Sequence, residues 1–122
     1  MSKSVLIVDD HEMMQKFLAG YLRKNFKIEV CENGIEALSW LGKNRPDIIL
    51  ADIDMPEMNG MEFLKELKND SYKKDIPVIM LSSINKSDSR VQCLQLGAID
   101  FVTKPFNPKE LELKINLHLG NS

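Results

Sequence analysis

Residues 48–52 read Ile48-Ile49-Leu50-Ala51-Asp52, four apolar residues without a break and then a carboxylate. An unbroken apolar run is what a central strand covered on both faces requires. A charged residue directly after it is expected only where the strand opens toward solvent at its end. Three further runs have the same form: residues 5–8 lead into Asp9-Asp10, 78–81 into Ser82, and 99–103 into Lys104. If the four are parallel strands of one sheet, their polar ends share the edge where open α/β sheets place their ligands. Carboxylates, a hydroxyl and an ammonium then converge, an inventory suited to a divalent cation and a transferable phosphoryl group.

Working outward, the same alternation of short apolar runs and longer amphipathic stretches continues along the chain, the pattern of βα units wound into a parallel sheet. Strands are expected over 5–9, 27–31, 48–51, 77–82 and 99–103, and helices over 12–24, 34–41, 61–68, 87–96 and 108–119. Met14, Phe17, Leu18, Tyr21 and Leu22 recur at helical spacing, as do Ala37, Leu38 and Leu41, and then Phe63, Leu64 and Leu67. Pro46 stops helix two and opens strand three. Gly97 suits the end of helix four, and Pro108 the first turn of helix five. The polar stretch 68–75 reads as a mobile connection. The expected fold class is α/β, a doubly wound five-stranded parallel sheet in a single domain spanning 1–122.

Composition narrows the function. With 43% apolar and 28% charged residues the chain matches ordinary soluble domains, and a net charge of −2 offers no basic footprint for direct nucleic-acid binding. No run approaches membrane-spanning length, and the start lacks the apolar segment of a signal peptide. Cys31 and Cys93 show no CxxC spacing and read as free thiols in a reducing, cytoplasmic setting.

Adjacent carboxylates at a strand end repel unless a cation is shared, so Asp9-Asp10 invites a metal. Magnesium takes one or two carboxylates, keeps waters and accepts phosphate oxygens. Asp10 and Asp52 as direct ligands, with Asp9 acting through water, meet that demand; the bland alternative is that the pair begins a loop and caps helix one. Asp52 can act as a nucleophile forming an acyl phosphate, and Lys104 can pair with it before transfer and with the phosphoryl group afterwards. Ser82 can donate to a phosphoryl oxygen or serve as a turn residue. His11 reads as a solvated or capping residue, Met55, Met58 and Met61 as gap-fillers, Trp40 as partly exposed, and Lys65, Lys68, Lys73 and Lys74 as a solvated face.

The strings VLIVDD (5–10), PDIILADIDMPEMNG (46–60), PVIMLSS (77–83) and GAIDFVTKPF (97–106) make the chain resemble, over nearly its whole length, the receiver domain of two-component response regulators. The resemblance implies a flavodoxin-like (βα)5 fold with strand order 2-1-3-4-5. It implies Asp52 as phosphoacceptor, Asp9 and Asp10 as the metal-binding pair, and the backbone carbonyl of Asp54 as a further ligand of Mg2+ or Mn2+. Ser82 and Phe101 match the switch residues and Lys104 the conserved-looking lysine, with Lys104-Pro105 expected to be cis. Asp54 and Ile84 are expected to flank the phosphoryl group and tune its hydrolysis, and the extra hydroxyl of Ser83 to narrow access.

The implied partners are a sensor histidine kinase or histidine phosphotransfer protein upstream, and downstream a protein or output domain. The output surface is the face of helix four, strand five and helix five. There, residues 88–115 resemble receivers of winged-helix transcription regulators, notably at Arg90, Asp100 and Lys114, hinting at a phosphorylation-promoted homodimer. No enzyme activity is implied beyond self-phosphorylation and self-dephosphorylation. Two rivals remain: a haloacid-dehalogenase-type phosphatase using Asp52 and Asp54, whose order of acidic motifs is wrong for this chain, and a phosphorylation-independent interaction domain.

Overall fold

The computed structural model describes residues 2–83 and 87–120. Strands and helices alternate as β1 (Ser4–Val8), α1 (Glu12–Leu22), β2 (Lys27–Cys31), α2 (Gly34–Leu41), β3 (Ile48–Asp52), α3 (Gly60–Lys68), β4 (Val78–Ser82), α4 (Ser87–Gln95), β5 (Asp100–Thr103) and α5 (Pro108–His118). Every strand pairing is parallel and the order is β2-β1-β3-β4-β5, the flavodoxin-like arrangement. Val8 lies opposite Ala51, Asp52 opposite Leu81 and Ser82 opposite Thr103, so the strands finish nearly level.

Period-two alternation divides the core between the two faces of the sheet. Leu6, Val8, Ile49, Ala51, Val78 and Met80 point to one side, against Ala37 and Leu41 of α2, Phe63, Leu64 and Leu67 of α3 and Cys93 of α4. Val5, Ile7, Ile48, Leu50, Ile79 and Leu81 point to the other, against Leu18 and Leu22 of α1 and Leu111 and Ile115 of α5. Burying a Leu, Ile or Phe side chain contributes about 1.5–3 kcal/mol, and truncating one such as Leu50 to Ala costs about 2–5 kcal/mol. β3 and β4 are buried at every position, whereas edge strand β2 alternates with solvent, as its polar Lys27 and Glu29 require.

Helix α3 begins against the end of β3. A Cβ on Gly60 would lie 2.4 Å from the Asp52 carbonyl oxygen and 2.7 Å from Ile53 Cα, so only glycine lets the helix start there. Gly60 N–H donates to Ile53 O at 2.8 Å, and Asn59 with Glu62 closes a capping box. Gly97 has φ +107 after α4, Pro108 lies in the first turn of α5, and Lys104-Pro105 is cis, all as expected. Cys31 and Cys93 are buried free thiols. Met55 is buried, and Met58 and Met61 pack on the same core.

Four expectations need correction. Phe17 is 48% exposed, its ring set 6.5 Å from that of Phe106 at the rim, not in the core. Ile99 precedes β5 and is 40% exposed, although its N–H still donates to Val78 O. Lys68 does not belong to a solvated face: its stem packs under Gly97 and its Nζ donates to the carbonyls of Lys74 (2.8 Å) and Ile76 (3.3 Å). Burial there pushes its ammonium pKa down, against the charge of Asp75. The connection it closes is bonded rather than free, because Asp70 Oδ1 accepts from the backbone N–H groups of Tyr72 and Lys73.

Candidate functional site

The strand order reverses direction at β1 and β3: α1 leaves β1 on one face and α3 leaves β3 on the other, and a crevice opens between their carboxyl ends. Asp9 follows β1 and Asp52 ends β3, both almost fully buried. The backbone N–H of Asp9 donates to Cys31 O at 3.1 Å, extending the β1–β2 ladder by one rung and fixing the carboxylate over the crevice. Its Oδ1 accepts from His11 N–H at 2.8 Å. Its Oδ2, buried, has no hydrogen-bond partner among the described residues and lies 3.7 Å from Lys104 Nζ.

Asp52 is better supplied. Oδ1 accepts from Asp54 N–H at 3.1 Å, and Oδ2 accepts from Lys104 Nζ at 3.0 Å. Lys104 arrives from the end of β5, where its backbone N–H donates to Ser82 O. Burial pushes the Asp52 carboxyl above the usual aspartate value, the Lys104 hydrogen bond and charge and the Asp54 N–H pull it back, and the Asp9 charge adds to the rise. A carboxylate so stripped of water is held ionised mainly by one ammonium.

The His11 side chain is 63% exposed, as expected of a solvated residue, but it stands beside the acidic pair. It occupies the N-cap position of α1, yet its side chain makes no capping hydrogen bond. Its Nδ1 instead lies 3.2 Å from Asp9 Oδ1, 3.2 Å from Asp10 Oδ1 and 3.7 Å from Asp52 Oδ2. One possible ligand atom from each of Asp9, Asp10, His11 and Asp52 falls within 4.8 Å of the others. The only signal for His11 in the sequence was its place directly after the acidic pair.

Around these groups runs an open cleft of about 590 Å3, lined by His11, Met13, Met14, Asp52, Asp54, Ser83 and Lys104. Asp54 is exposed on its wall and accepts from Ser83 Oγ at 3.3 Å. Ser82 lies behind, 2% exposed, and Phe101 is buried in the core on the α2–α4 side. Ile84 falls outside the described residues.

Residues 5–116 match the family model of the response regulator receiver domain. The chain belongs to that family. The receiver is 45% identical over 116 residues to the protein-glutamate methylesterase/protein-glutamine glutaminase of Treponema pallidum, covering 91% of this chain and 28% of that protein. It is 37% identical over 116 residues to the phosphate regulon transcriptional regulatory protein PhoB of Escherichia coli, covering 94% and 51%. Chemotaxis protein CheY4 of Vibrio cholerae superposes with a TM-score of 0.90 at 30% identity, covering 96% of this chain and 98% of that one. The signal receiver domain of a histidine kinase from Syntrophus aciditrophicus does so at 0.90 and 33% identity, covering 98% and 91%. This receiver thus spans about half or less of the two curated relatives, and the esterase name belongs to a protein of which it matches a minor share. A receiver is not an enzyme of the ordinary kind, and the phosphatase reading is not favoured.

The donor set fits a hard divalent cation. The buried carboxylates of Asp9 and Asp52 cluster with the exposed one of Asp10, and Asp9 Oδ2 is an acceptor for which the described residues supply no donor.

Proposed function

We propose that this receiver is a phosphorylation switch in which Asp52 takes a phosphoryl group from the phosphohistidine of a sensor histidine kinase or phosphotransfer protein. The observation that carries the reading is the buried Asp52 carboxylate, 3.0 Å from Lys104 Nζ and facing an open cleft beside the unpartnered oxygen of Asp9. An Asp52 oxygen attacks phosphorus, the P–N bond breaks, and the imidazole leaves with the electron pair and takes up a proton. The product is an aspartyl phosphate.

Lys104 loses its carboxylate partner in this step and turns to a phosphoryl oxygen, so the buried ammonium stays neutralised throughout. Asp9, Asp10 and Asp52, with the backbone carbonyl of Asp54, would hold Mg2+ or Mn2+. The cation supplies charge neutralisation for the phosphoryl oxygens in transfer. Asp54 N–H fixes the Asp52 carboxylate through Oδ1. Asp54, bonded to Ser83, stands at the mouth where a hydrolytic water enters.

Ser82 and Phe101 transmit the change: Ser82 ends β4 beside the site, and the buried Phe101 ring belongs to β5 at the output face. That face exposes Val91 and Leu94 on α4 and Leu113 and Leu117 on α5, apolar surface suited to a downstream protein, an output domain or a phosphorylation-promoted homodimer. No described helix is long and apolar enough to cross a membrane; a kinase donor places the protein in the cytoplasm.

Acetyl phosphate with Mg2+ is the direct test, read by intact mass and by lability of the adduct to hydroxylamine. Wild type gains one phosphoryl group, a chelator prevents it, and Asp52→Asn gains none. Equal incorporation by Asp52→Asn sinks the assignment.

A further inference from the structure

The helix-to-strand connections gather at the opposite edge of the sheet, away from the phosphoryl chemistry. Two clefts there, of about 430 and 320 Å3, adjoin because both are lined by Asn44 and Arg45. We propose that this continuous groove docks an acidic linear segment of a partner protein. The inference goes beyond the phosphoacceptor reading and stands without it.

Charge is the first support. Lys43, Arg45 and Lys73 line the groove on one side of Asn44 and Lys27 on the other, against Asp70 and Glu29. Asp70 and Lys73 are committed to each other, since Asp70 accepts from the backbone N–H groups of Tyr72 and Lys73 and from Lys73 Nζ, which leaves Lys27, Lys43 and Arg45 as the open cations against Glu29. A chain whose formal charge is −2 therefore presents a cationic strip at the end remote from Asp9, Asp10 and Asp52.

Preorganisation is the second. One guanidinium nitrogen of Arg45 donates to the Tyr72 carbonyl, tying the α2–β3 connection to the α3–β4 connection. Among the described residues this exposed guanidinium makes no further hydrogen bond, and its fork can receive a carboxylate with two parallel bonds. The third support is the apolar lining. Leu41 and Ile76 are buried at the floor, Trp40 is half-buried, and the Tyr72 side chain is 84% exposed at the rim. Carboxylates alternating with apolar side chains match that lining. A nucleic-acid backbone matches it less well, because a phosphate track is charged throughout and leaves the apolar lining of Leu41, Ile76 and Trp40 unmatched.

The test uses the full chain and a fluorescein-labelled synthetic peptide of alternating Glu and Leu with one Phe, followed by anisotropy. Trp40, the sole tryptophan, gives a second signal from within the groove. Saturable binding is expected, with a change in Trp40 emission, weakening as salt rises. Affinity should fall about tenfold or more in Lys43→Glu/Arg45→Glu and less in Arg45→Gln, which guards against a folding defect in the double variant. Asp52→Asn binds as wild type. Four results each overturn the proposal: no saturable binding, equal affinity in both groove variants, tighter binding of an oligothymidylate than of the peptide, or sedimentation showing that a second copy of the chain occupies the groove.

Discussion

Asp52 and Asp100 are the same side chain at opposite ends of the sheet, one closing β3 and the other opening β5, and they titrate in opposite directions. Burial is the largest influence on both and pushes both upward. At Asp100 the partners win: His118 Nε2 lies 3.0 Å from Oδ2, Phe101 N–H donates to Oδ1 at 2.8 Å, and Lys114 Nζ stands 3.7 Å away. Its carboxyl is held below the ordinary aspartate value. At Asp52 burial wins, since the side chain is 1% exposed against 24% for Asp100, and Asp9 adds a like charge. One acid is satisfied and ties α5 to β5. The other is buried with a single ammonium for a partner, the kind of perturbed carboxylate that clusters at functional sites, as the proposed phosphoacceptor role requires.

The contrast breaks most easily at Lys104. Replacing it by Met leaves Asp9 and Asp52 buried without their ammonium, a loss of about 3–5 kcal/mol by analogy with buried pairs stripped of one partner. Urea denaturation in a chelator measures it. Added Mg2+ should restore part of the loss, because a ligand that binds only the native state stabilises it by mass action. A variant as stable as wild type without metal means that the carboxylates are already neutral and that the strain described at Asp52 does not exist.

A smaller effect of opposite sign is expected at Asp9. Asp9→Asn removes a charge that crowds Asp52 and an oxygen with no donor, so the metal-free variant gains about 1–2 kcal/mol. In saturating Mg2+ the order inverts, since wild type alone keeps the full acidic set. Destabilisation of this variant in chelator would falsify the claim that the site is strained without a cation.

What the sequence made legible follows from the sheet. Asp9, Asp52, Ser82 and Lys104 each terminate an apolar run, and parallel strands ending nearly level bring such termini together. Strand order and the Lys104-Pro105 geometry came only through family resemblance. His11 stays exposed, as read, while its Nδ1 lies 3.2 Å from both Asp9 and Asp10. Two side chains were misjudged because their environment is set by contacts distant in sequence that periodicity does not encode. Lys68 is covered by Gly97, and Phe17 meets Phe106 at the rim instead of entering the core. Helical spacing identifies a face; it does not say how far the opposing layer extends.

The gentlest test concerns Asp100 itself. Its native pKa is depressed, so its contribution is fully present above the unfolded-state value, near 3.8, and is lost as pH falls through the lower native one. Asp100→Asn should therefore cost about 0.5–1 kcal/mol at neutral pH, the scale of a partly exposed ion pair. The gap between wild type and variant should close in acid below that native value. Paired denaturation curves at neutral and acid pH check it. A gap that persists in acid means that Asp100 acts through packing and not through its charge, and its distinction from Asp52 then rests on burial alone.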